Sequence, residues 1–512
     1  MSDAKEQLKE PPEDPEKLGF LQTLATFPRP FWMGCIIEMF ERLAWYGTRV
    51  VLPIYICQAD EPGGLHFTQA QKGTIYAVWA LVQGLIPTLS GGLADRYGYK
   101  KSIVAYATIN STAFVLMANM RTYPTFFASC LLLGVGTALF KPAIQGTLAQ
   151  SMTKKNSSVG WGFFYWLVNV GAGIGPPFAN ILHPMGWKFV FYGCAAITSL
   201  NYFMLLTYPQ VESGADKTKS LAKTASDTFK NLGDLRLGAV IVIFTGFWMM
   251  LYQLWDFMPN FYADWVDSSA FVKHVMWLPK NWFQETSRGL QLKQENALNL
   301  NAMMIIGFVI PMSYLVRKLR VLTSMTIGIV LATIGTVVYG TSPSVYVVFL
   351  GVILFSLGEM LTGPKKTEYF GLIAPKGKKA LYLGYVNIPV ALGQFLGATI
   401  AGRYYGRNGE KAVLSLRYLV EKTDYMHKTR PDAPAWDGNV ASLEKITGVP
   451  RNEAFNTLVK FAGDDAKHMN DVLWNEYHPY TIWYIFAAIG FASLMGMLVY
   501  TRMSRRWKEM DV

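Results

Sequence analysis

Residues 124–149 have the sequence PTFFASCLLLGVGTALFKPAIQGTLA, in which the only charged residue is Lys141. A helix needs about 20 predominantly apolar residues to cross the hydrocarbon core of a bilayer. The stretch is long enough for this, so it predicts a transmembrane helix. Because lipid offers no partners to free backbone N–H and C=O groups, a chain with many such stretches is expected to span the membrane entirely as helices.

Eleven other segments have the same character. The twelve predicted transmembrane helices lie near 31–57, 72–92, 102–120, 124–149, 160–182, 187–208, 237–262, 296–316, 322–341, 345–372, 379–402 and 478–502. They form an N-terminal six-helix bundle over 31–208 and a C-terminal one over 237–502, joined by a basic linker, 209–236. The sequence predicts an all-α membrane protein, and this plan resembles the major facilitator fold, whose two bundles rock around a midplane site.

The composition supports the same class. Hydrophobic residues make up 51% of the 512 residues and charged residues only 16%, against about 25% in a typical soluble protein. This argues against a soluble enzyme, and the net charge of +12 is better explained by basic cytoplasmic loops than by nucleic acid. The four cysteines lie in apolar segments without C-x-x-C spacing, and no hydrolase, phosphate-binding or metal motif occurs. We therefore expect neither catalysis nor a cofactor or metal.

The orientation follows from the lysines and arginines of the short loops. Eleven lie in the even-numbered connections, whereas the short odd-numbered ones hold only Arg121 and Lys188. The positive-inside rule then predicts cytoplasmic tails at 1–30 and 503–512. We expect the protein to lie in a bacterial inner membrane. The long loop 403–477 would lie outside, either as a small helical cap or as a partly ordered linker.

Charged residues inside a membrane are costly and therefore mark function by default. The first helix holds such a group in residues 38–47, EMFERLAWYG. Glu38 and Arg42 are four residues apart and share a face, and Glu41 lies within one turn of both. Two carboxylates beside one guanidinium can hold an exchangeable proton. The alternative is a fixed Glu–Arg staple between helices.

Other polar groups are spread over the remaining helices. Lys141 lies about 25 Å into its segment and Glu359 about 21 Å into the tenth, at 1.5 Å per residue. Asp256 lies in the seventh helix, and Asn169 and Asn301 lie in the fifth and eighth. Snorkelling of the lysine and simple inter-helical bonding of the asparagines are the alternatives to a role in binding.

The signs of these charges differ between the two halves. Arg42 and Lys141 are in the N-terminal bundle, whereas Asp256 and Glu359 are in the C-terminal bundle. A site with opposite charge on its two walls suits a zwitterion, with its carboxylate on one side and its ammonium group on the other.

Several motifs identify a closer resemblance. Residues 92–101, GLADRYGYKK, resemble the loop between the second and third helices of major facilitators. Residues 38–47 and 164–171, FYWLVNVG, resemble the E-x-x-E-R-F-x-Y-Y-G and F-Y-x-x-I-N-x-G motifs of the proton-dependent oligopeptide transporter family. Residues 136–142 and 358–359 resemble its fourth-helix Lys-Pro motif and its tenth-helix Glu. The chain is similar to that family over all twelve helices, as a divergent member.

The resemblance implies roles for individual residues. The proton-coupling residues would be Glu38, Glu41 and Arg42, together with Asp256 if it replaces the family's seventh-helix acid, which aligns near Tyr252. The substrate-binding residues would be Arg42, Trp45, Tyr46, Lys141, Asn169, Asn301 and Glu359. The loop after the second helix would contribute the gating residues Asp95, Arg96 and Lys100.

The predicted function is proton-coupled symport, by alternating access, of di- or tripeptides or similar small zwitterions. The carrier would act as a monomer, without nucleic acid as a partner, and the proton gradient would drive it. Two alternatives remain: a carrier of another small solute, such as an amino acid, nitrate or a drug, and a partner-binding protein on a transporter scaffold.

Overall fold

The computed structural model describes residues 20–153, 156–212, 234–316, 319–374 and 379–504, with the backbone alone at 20–21, 88–92, 95, 158, 313 and 379–381. Most of the predicted N-terminal tail, most of the predicted central linker and most of the predicted C-terminal tail lie outside these residues. All the structural statements below refer to the described part of the chain.

Twelve long helices form the body of the protein. They are α1 (Arg29–Arg49), α2 (Gln69–Tyr97), α3 (Tyr99–Asn119), α4 (Tyr123–Gln150), α5 (Ser157–Leu182), α6 (Trp187–Ser199), α7 (Leu235–Leu251), α8 (Leu300–Leu315), α9 (Val321–Gly340), α10 (Val345–Leu372), α11 (Asn387–Asn408) and α12 (Thr481–Ser504). Shorter helices flank them at Phe20–Ala25, Leu52–Cys57, His183–Met185, Asn201–Leu206, Gln253–Asp256, Met258–Trp265 and Lys379–Tyr385.

The helices pack as two six-helix halves. In the N-terminal half α1 packs on α5 and α6, and α4 packs on α2 and α3; in the C-terminal half α9 packs on α10 and α12, and α7 packs on α11 and α12. The halves meet along α2 and α11 and along α5 and α8. Glycines allow the first of these contacts, since a Cβ on Gly402 would lie 2.6 Å from the Gln69 carbonyl oxygen and one on Gly73 2.6 Å from that of Ala398. Such close backbone approach is how small residues join membrane helices.

Eight helical stretches among the described residues are long and apolar enough to cross a membrane. They are Tyr99–Asn119, Tyr123–Gln150, Trp187–Leu206, Leu235–Asp256, Val321–Gly340, Val345–Leu372, Tyr382–Glu421 and Thr481–Ser504. Helix α1 differs from them because charged residues interrupt it, and α8 because it has only 16 residues. Together with the architecture of two six-helix halves, these spans define an all-α membrane protein fold.

Two of the predicted helices are broken in the structure. The apolar stretch 31–57 is helical to Arg49 and resumes at Leu52, and the stretch 237–262 continues beyond α7 only as two short helices. Pro53 and Pro259 lie in the first turn of the helices that follow the breaks. Proline has no N–H to donate and is tolerated at that position, so each one permits a new start in a chain that hydropathy alone shows as continuous.

The segments 263–295 and 403–477 lie together at one end of the bundles, which we call the cap end. The second segment contains the helices Lys411–Glu421, Tyr425–Thr429, Leu443–Thr447, Ala454–Ala462 and Ala466–Tyr477, with turns of 3₁₀ helix at Val440–Ser442 and Arg451–Glu453. The first contains Ser269–Val272, Lys280–Trp282 and Gln294–Leu298, and an antiparallel hairpin of β1 (Phe283–Thr286) and β2 (Gly289–Leu292).

A small apolar cluster joins the cap to the N-terminal half. Ala59, which follows the first helices, is buried with Leu416, Leu443 and Ala454 of the cap. The cap therefore contacts both halves rather than extending from one of them.

Candidate functional site

A four-membered ion cluster joins α1 to α4. The guanidinium of Arg42 donates two hydrogen bonds to the Glu41 carboxylate, from Nε to Oε2 and from Nη2 to Oε1, the latter at 2.5 Å. Lys141 is ion-paired with Glu38, and its Nζ also lies 3.4 Å from Glu41 Oε2. Both glutamates are 2% exposed, whereas the Lys141 side chain is 28% exposed. Lys141 is therefore the most exposed member of the cluster.

One atom of the cluster is left unsatisfied. Glu38 Oε2 is buried without a hydrogen-bond partner in the described part of the chain, although Oε1 contacts both Lys141 and, at 3.5 Å, Arg42 Nε. A buried carboxylate oxygen without a partner is costly. A proton on Oε2 would remove the negative charge that holds Lys141.

A cavity of about 100 Å³ lies between the two halves, beside this cluster. We call it the central cavity; its polar and aromatic lining residues are Tyr46, Tyr165, Asn169, Trp255, Asn299, Asn301 and Glu359. Asn301 Nδ2 donates to Glu359 Oε2 at 2.9 Å and to Ser356 Oγ at 3.0 Å, which fixes the carboxylate on the wall formed by the C-terminal half. On the facing wall Asn169 Nδ2 donates to the Tyr165 carbonyl at 2.8 Å.

The predicted substrate residues divide into two groups. Tyr46, Asn169, Asn301 and Glu359 line the central cavity. Arg42, Trp45 and Lys141 are not among its lining residues and belong to the ion cluster or pack on it. Tyr46 connects the groups, since its ring centroid is 6.0 Å from the Arg42 guanidinium carbon and the same ring lines the cavity.

Asp256, predicted to take part in proton coupling, forms a buried ion pair with Arg49 of α1. The two residues are 2% and 3% exposed, and each is the chain neighbour of a residue that lines the central cavity, Val50 and Trp255. The Arg49 guanidinium carbon also lies 4.1 Å from the Tyr76 ring centroid and 4.7 Å from that of Trp79. The sequence analysis missed Arg49; a charge within the apolar stretch 31–57 was the signal that could have found it.

More hydrogen bonds cross between the halves at the cap end. Gln294 Nε2 donates to the Val50 carbonyl at 3.1 Å, and Lys72 Nζ donates to Asn260 Oδ1 at 2.8 Å. Gln58 Nε2 donates to Asp264 Oδ1 at 2.9 Å. With the Arg49 pair these bonds form what we call the polar layer, which closes the central cavity on the side of the cap.

The predicted gating residues surround the tight turn between α2 and α3, where Gly98 has a φ of +100° that favours glycine. Lys100 Nζ donates to the Tyr208 carbonyl at 2.8 Å and so ties α3 to the chain after α6. Arg96 is exposed. The side chain of Asp95 lies outside the described residues, and a gating role for the three remains a prediction.

Known proteins share this architecture. A POT family transporter in complex with 5-aminolevulinic acid superposes with a TM-score of 0.65 at 15% identity, over 94% of this chain and 97% of that one. The nucleoside transporter NupG gives a TM-score of 0.61 at 14% identity, over 92% and 99%. At such identities the likeness concerns the fold.

Sequence relatives and a family model agree with the fold. The uncharacterized MFS-type transporter YttB of Bacillus subtilis (strain 168) is 23% identical over 340 residues, which are 65% of this chain and 79% of YttB. The multidrug resistance protein MdtH of Yersinia enterocolitica is 24% identical over 333 residues, 64% of this chain and 75% of MdtH. The model of the Major Facilitator Superfamily matches residues 34–398, well over half of the chain. The chain therefore belongs to the major facilitator superfamily and is a multi-pass integral membrane transporter, not an enzyme.

Proposed function

We propose that this transporter is a proton-coupled symporter for di- or tripeptides or similar small zwitterions. The observation that carries the proposal is the pairing of Lys141 with Glu38 beside a cavity whose other wall holds Glu359. Glu359 on the cavity wall suits the ammonium end of a zwitterion, and Lys141 in the ion cluster beside the cavity suits its carboxylate end. The resemblance of the first, fourth, fifth and tenth helices to the oligopeptide family supports the same substrate class.

Coupling would follow from competition for one ammonium group. While Glu38 is ionised, it neutralises Lys141, which then has little affinity for a substrate carboxylate. Once Glu38 takes up a proton at its unpartnered Oε2, Lys141 is released to bind that carboxylate. Proton and substrate each favour the binding of the other, which is the reciprocity that linkage requires.

The proposal also includes the membrane in which the carrier lies, its orientation there and the source of energy for uptake. The carrier would lie in a bacterial inner membrane as a monomer, with both termini in the cytoplasm and the cap outside. In this orientation the polar layer is an outer gate in its closed state. Inward proton flow would supply about 2.3 kcal/mol per charge per 100 mV, without a cofactor.

Uptake by proteoliposomes under an imposed pH gradient tests the coupling. Glu38→Gln should abolish gradient-driven accumulation of a dipeptide, while exchange across the membrane without a gradient partly survives. Glu453→Gln, an exposed glutamate of the cap, is the matched control and should accumulate substrate normally. Equal accumulation by both variants would remove Glu38 from proton coupling.

The substrate carboxylate is tested separately. Lys141→Gln should weaken the transport of a dipeptide by about tenfold or more, the scale of one charge-assisted contact, and should leave its C-terminal amide unaffected. If the unaltered protein transports neither the dipeptide nor its amide but does transport a nucleoside or a drug, the protein is a carrier of another solute and the proposal is wrong.

A further inference from the structure

A second cavity, of about 280 Å³, lies under the cap. We call it the cap cavity. Its wall includes Gln58 and Trp187 of the N-terminal half, the 284–288 hairpin turn, residues 293–295 and the cap residues Lys411 and Phe455. Its volume is close to the lower end of the range of small-molecule sites, about 300–1,000 Å³. Val51 and Gln294 line the cap cavity while Val50 and Leu298 line the central one, so the two cavities are stacked with the polar layer between them.

Three buried cations in this wall lack an acidic partner. Arg288, Lys293 and Lys411 are 4%, 8% and 6% exposed, and none lies within 4.0 Å of a carboxylate oxygen of the described residues. Arg288 donates to the carbonyls of Val266 and Ala263, and Lys411 Nζ lies 4.7 Å from the Phe455 ring centroid. Burying a charge that only neutral groups contact is unfavourable unless a ligand supplies the counter-charge.

Buried or nearly buried carboxylates occupy another part of the same wall. Glu295 is 6% exposed and accepts a hydrogen bond from Gln294 Nε2 at 3.0 Å. Glu61 accepts from His183 Nε2 and from Trp187 Nε1, each at 3.1 Å. In the described part of the chain, no lysine or arginine donates a hydrogen bond to either acid.

The electrostatics of the two groups agree with incomplete neutralisation. Burial raises the pKa of the Glu295 carboxyl, although Lys293 opposes the rise. Burial lowers the pKa of the Arg288 guanidinium, although Asp267, Asp264 and Asp60 act in the opposite direction. In both cases the wall leaves part of the cost of the buried charge without compensation.

We propose that the cap cavity is a second binding site for a small zwitterion of amino-acid or dipeptide size. Its carboxylate contacts Arg288 and Lys411, and its ammonium group contacts Glu295 and Glu61. The choice of a dipeptide as ligand rests on the proposed function; the site itself does not depend on proton coupling. A solute bound here remains on the cap side of the polar layer until that layer opens and gives access to the central cavity.

Thiol labelling of the full-length purified protein tests the site. The four native cysteines are all buried, and Ser287 is an exposed residue of the cavity wall, so Ser287→Cys places one reactive thiol at the rim. L-alanyl-L-alanine should slow maleimide labelling of this variant. Its C-terminal amide, which lacks the carboxylate, should need an at least tenfold higher concentration, about 1.4 kcal/mol.

Further variants in the Ser287→Cys background assign the effect to the cap cavity. Lys411→Gln should weaken protection by about tenfold or more. Lys411→Arg should retain it, and so should Lys422→Gln, which changes an exposed lysine directly after the same helix. Glu359→Gln should also retain it, since that residue belongs to the central cavity. Loss of protection in Glu359→Gln, undiminished protection in Lys411→Gln, or no protection by the dipeptide would each overturn the proposal, whatever transport assays report.

Discussion

Replacing either member of the buried Arg49–Asp256 pair should destabilise the protein, but we expect the loss of Arg49 to cost more than the loss of Asp256. Both side chains are almost fully buried and join the halves. After Asp256→Asn, Arg49 still has the rings of Tyr76 and Trp79 at 4.1 and 4.7 Å. After Arg49→Met, the buried Asp256 carboxylate loses its counter-ion. Its Oδ2 has no hydrogen-bond partner among the described residues even in the unaltered protein, so nothing there compensates the loss.

The expected costs follow from these surroundings. Removing one member of a buried ion pair destabilises a protein by ~3–5 kcal/mol, and we expect this for Arg49→Met. A desolvated cation–π contact is worth about 2 kcal/mol, and these contacts continue to stabilise the arginine in the other variant. Asp256→Asn should therefore cost about 1–3 kcal/mol. The double variant removes both charges and should be more stable than Arg49→Met alone.

The free energy of unfolding can be measured by titrating the purified protein in mixed micelles with a denaturing detergent. Lys422 and Glu476, an ion pair of the cap with side chains 46% and 40% exposed, provide the control. Replacing either should change the free energy of unfolding far less than Arg49→Met does, because solvent screens an exposed ion pair. If Asp256→Asn destabilises the protein as much as Arg49→Met does, or more, the rings of Tyr76 and Trp79 do not stabilise the unpaired arginine.

Three other predictions concern the helices. Gly402→Ala should destabilise the protein by ~1–3 kcal/mol, because its Cβ would overlap the facing helix. Gly307→Ala should stabilise it by up to about 1 kcal/mol, because among the described residues no neighbouring group lies within 4 Å of the added Cβ. Unfolding titrations in which both variants change the free energy of unfolding in the same direction would contradict this. Lys366→Met should raise the thermal midpoint, by the equivalent of about 1 kcal/mol or more, because the buried ammonium group contacts an aromatic ring and no carboxylate within 4.0 Å in the described ranges; a lower midpoint would refute it. Asn301→Ala should cost ~1.5–3 kcal/mol, the value of a hydrogen bond to a charged acceptor, and the loss should largely disappear in a Glu359→Gln background if that bond is responsible.

Local relations in the site were predictable from the sequence, whereas partners across the fold were not. Helical periodicity places Glu38, Glu41 and Arg42 on neighbouring faces of one helix, and the structure groups them. The bond from Lys141 to Glu38 depends on how α4 packs on α1, which no spacing along the chain encodes. The partner of Asp256 was missed for the same reason, since Arg49 is distant from it in sequence and lies in the other half.

The cap shows a different limit of sequence reasoning. Residues 411–422 and 451–462 have the amphipathic pattern that is typical of helices, and helices lie at Lys411–Glu421 and Ala454–Ala462. The hairpin of β1 and β2 was not predicted, because strands of four residues carry too little periodicity to be recognised. The turn of this hairpin nevertheless supplies Arg288 to the wall of the cap cavity. That cavity could therefore not have been predicted from the sequence.

The stacking of the two cavities has a consequence for the transport cycle. A solute that moves from the cap cavity to the central one must pass the level of the Arg49–Asp256 pair, where both charges are buried. Separating the pair without compensation would strand two ions, but a zwitterion carries the two charges needed to solvate them as it enters. If the transporter carries zwitterions as proposed, the polar layer would open at lower cost for a zwitterion than for a neutral solute of equal size, and it would select between them. Arg49→Met/Asp256→Asn should accordingly narrow the difference in uptake rate between a dipeptide and its uncharged, doubly blocked analogue, and an unchanged ratio would assign the selectivity to the central cavity alone.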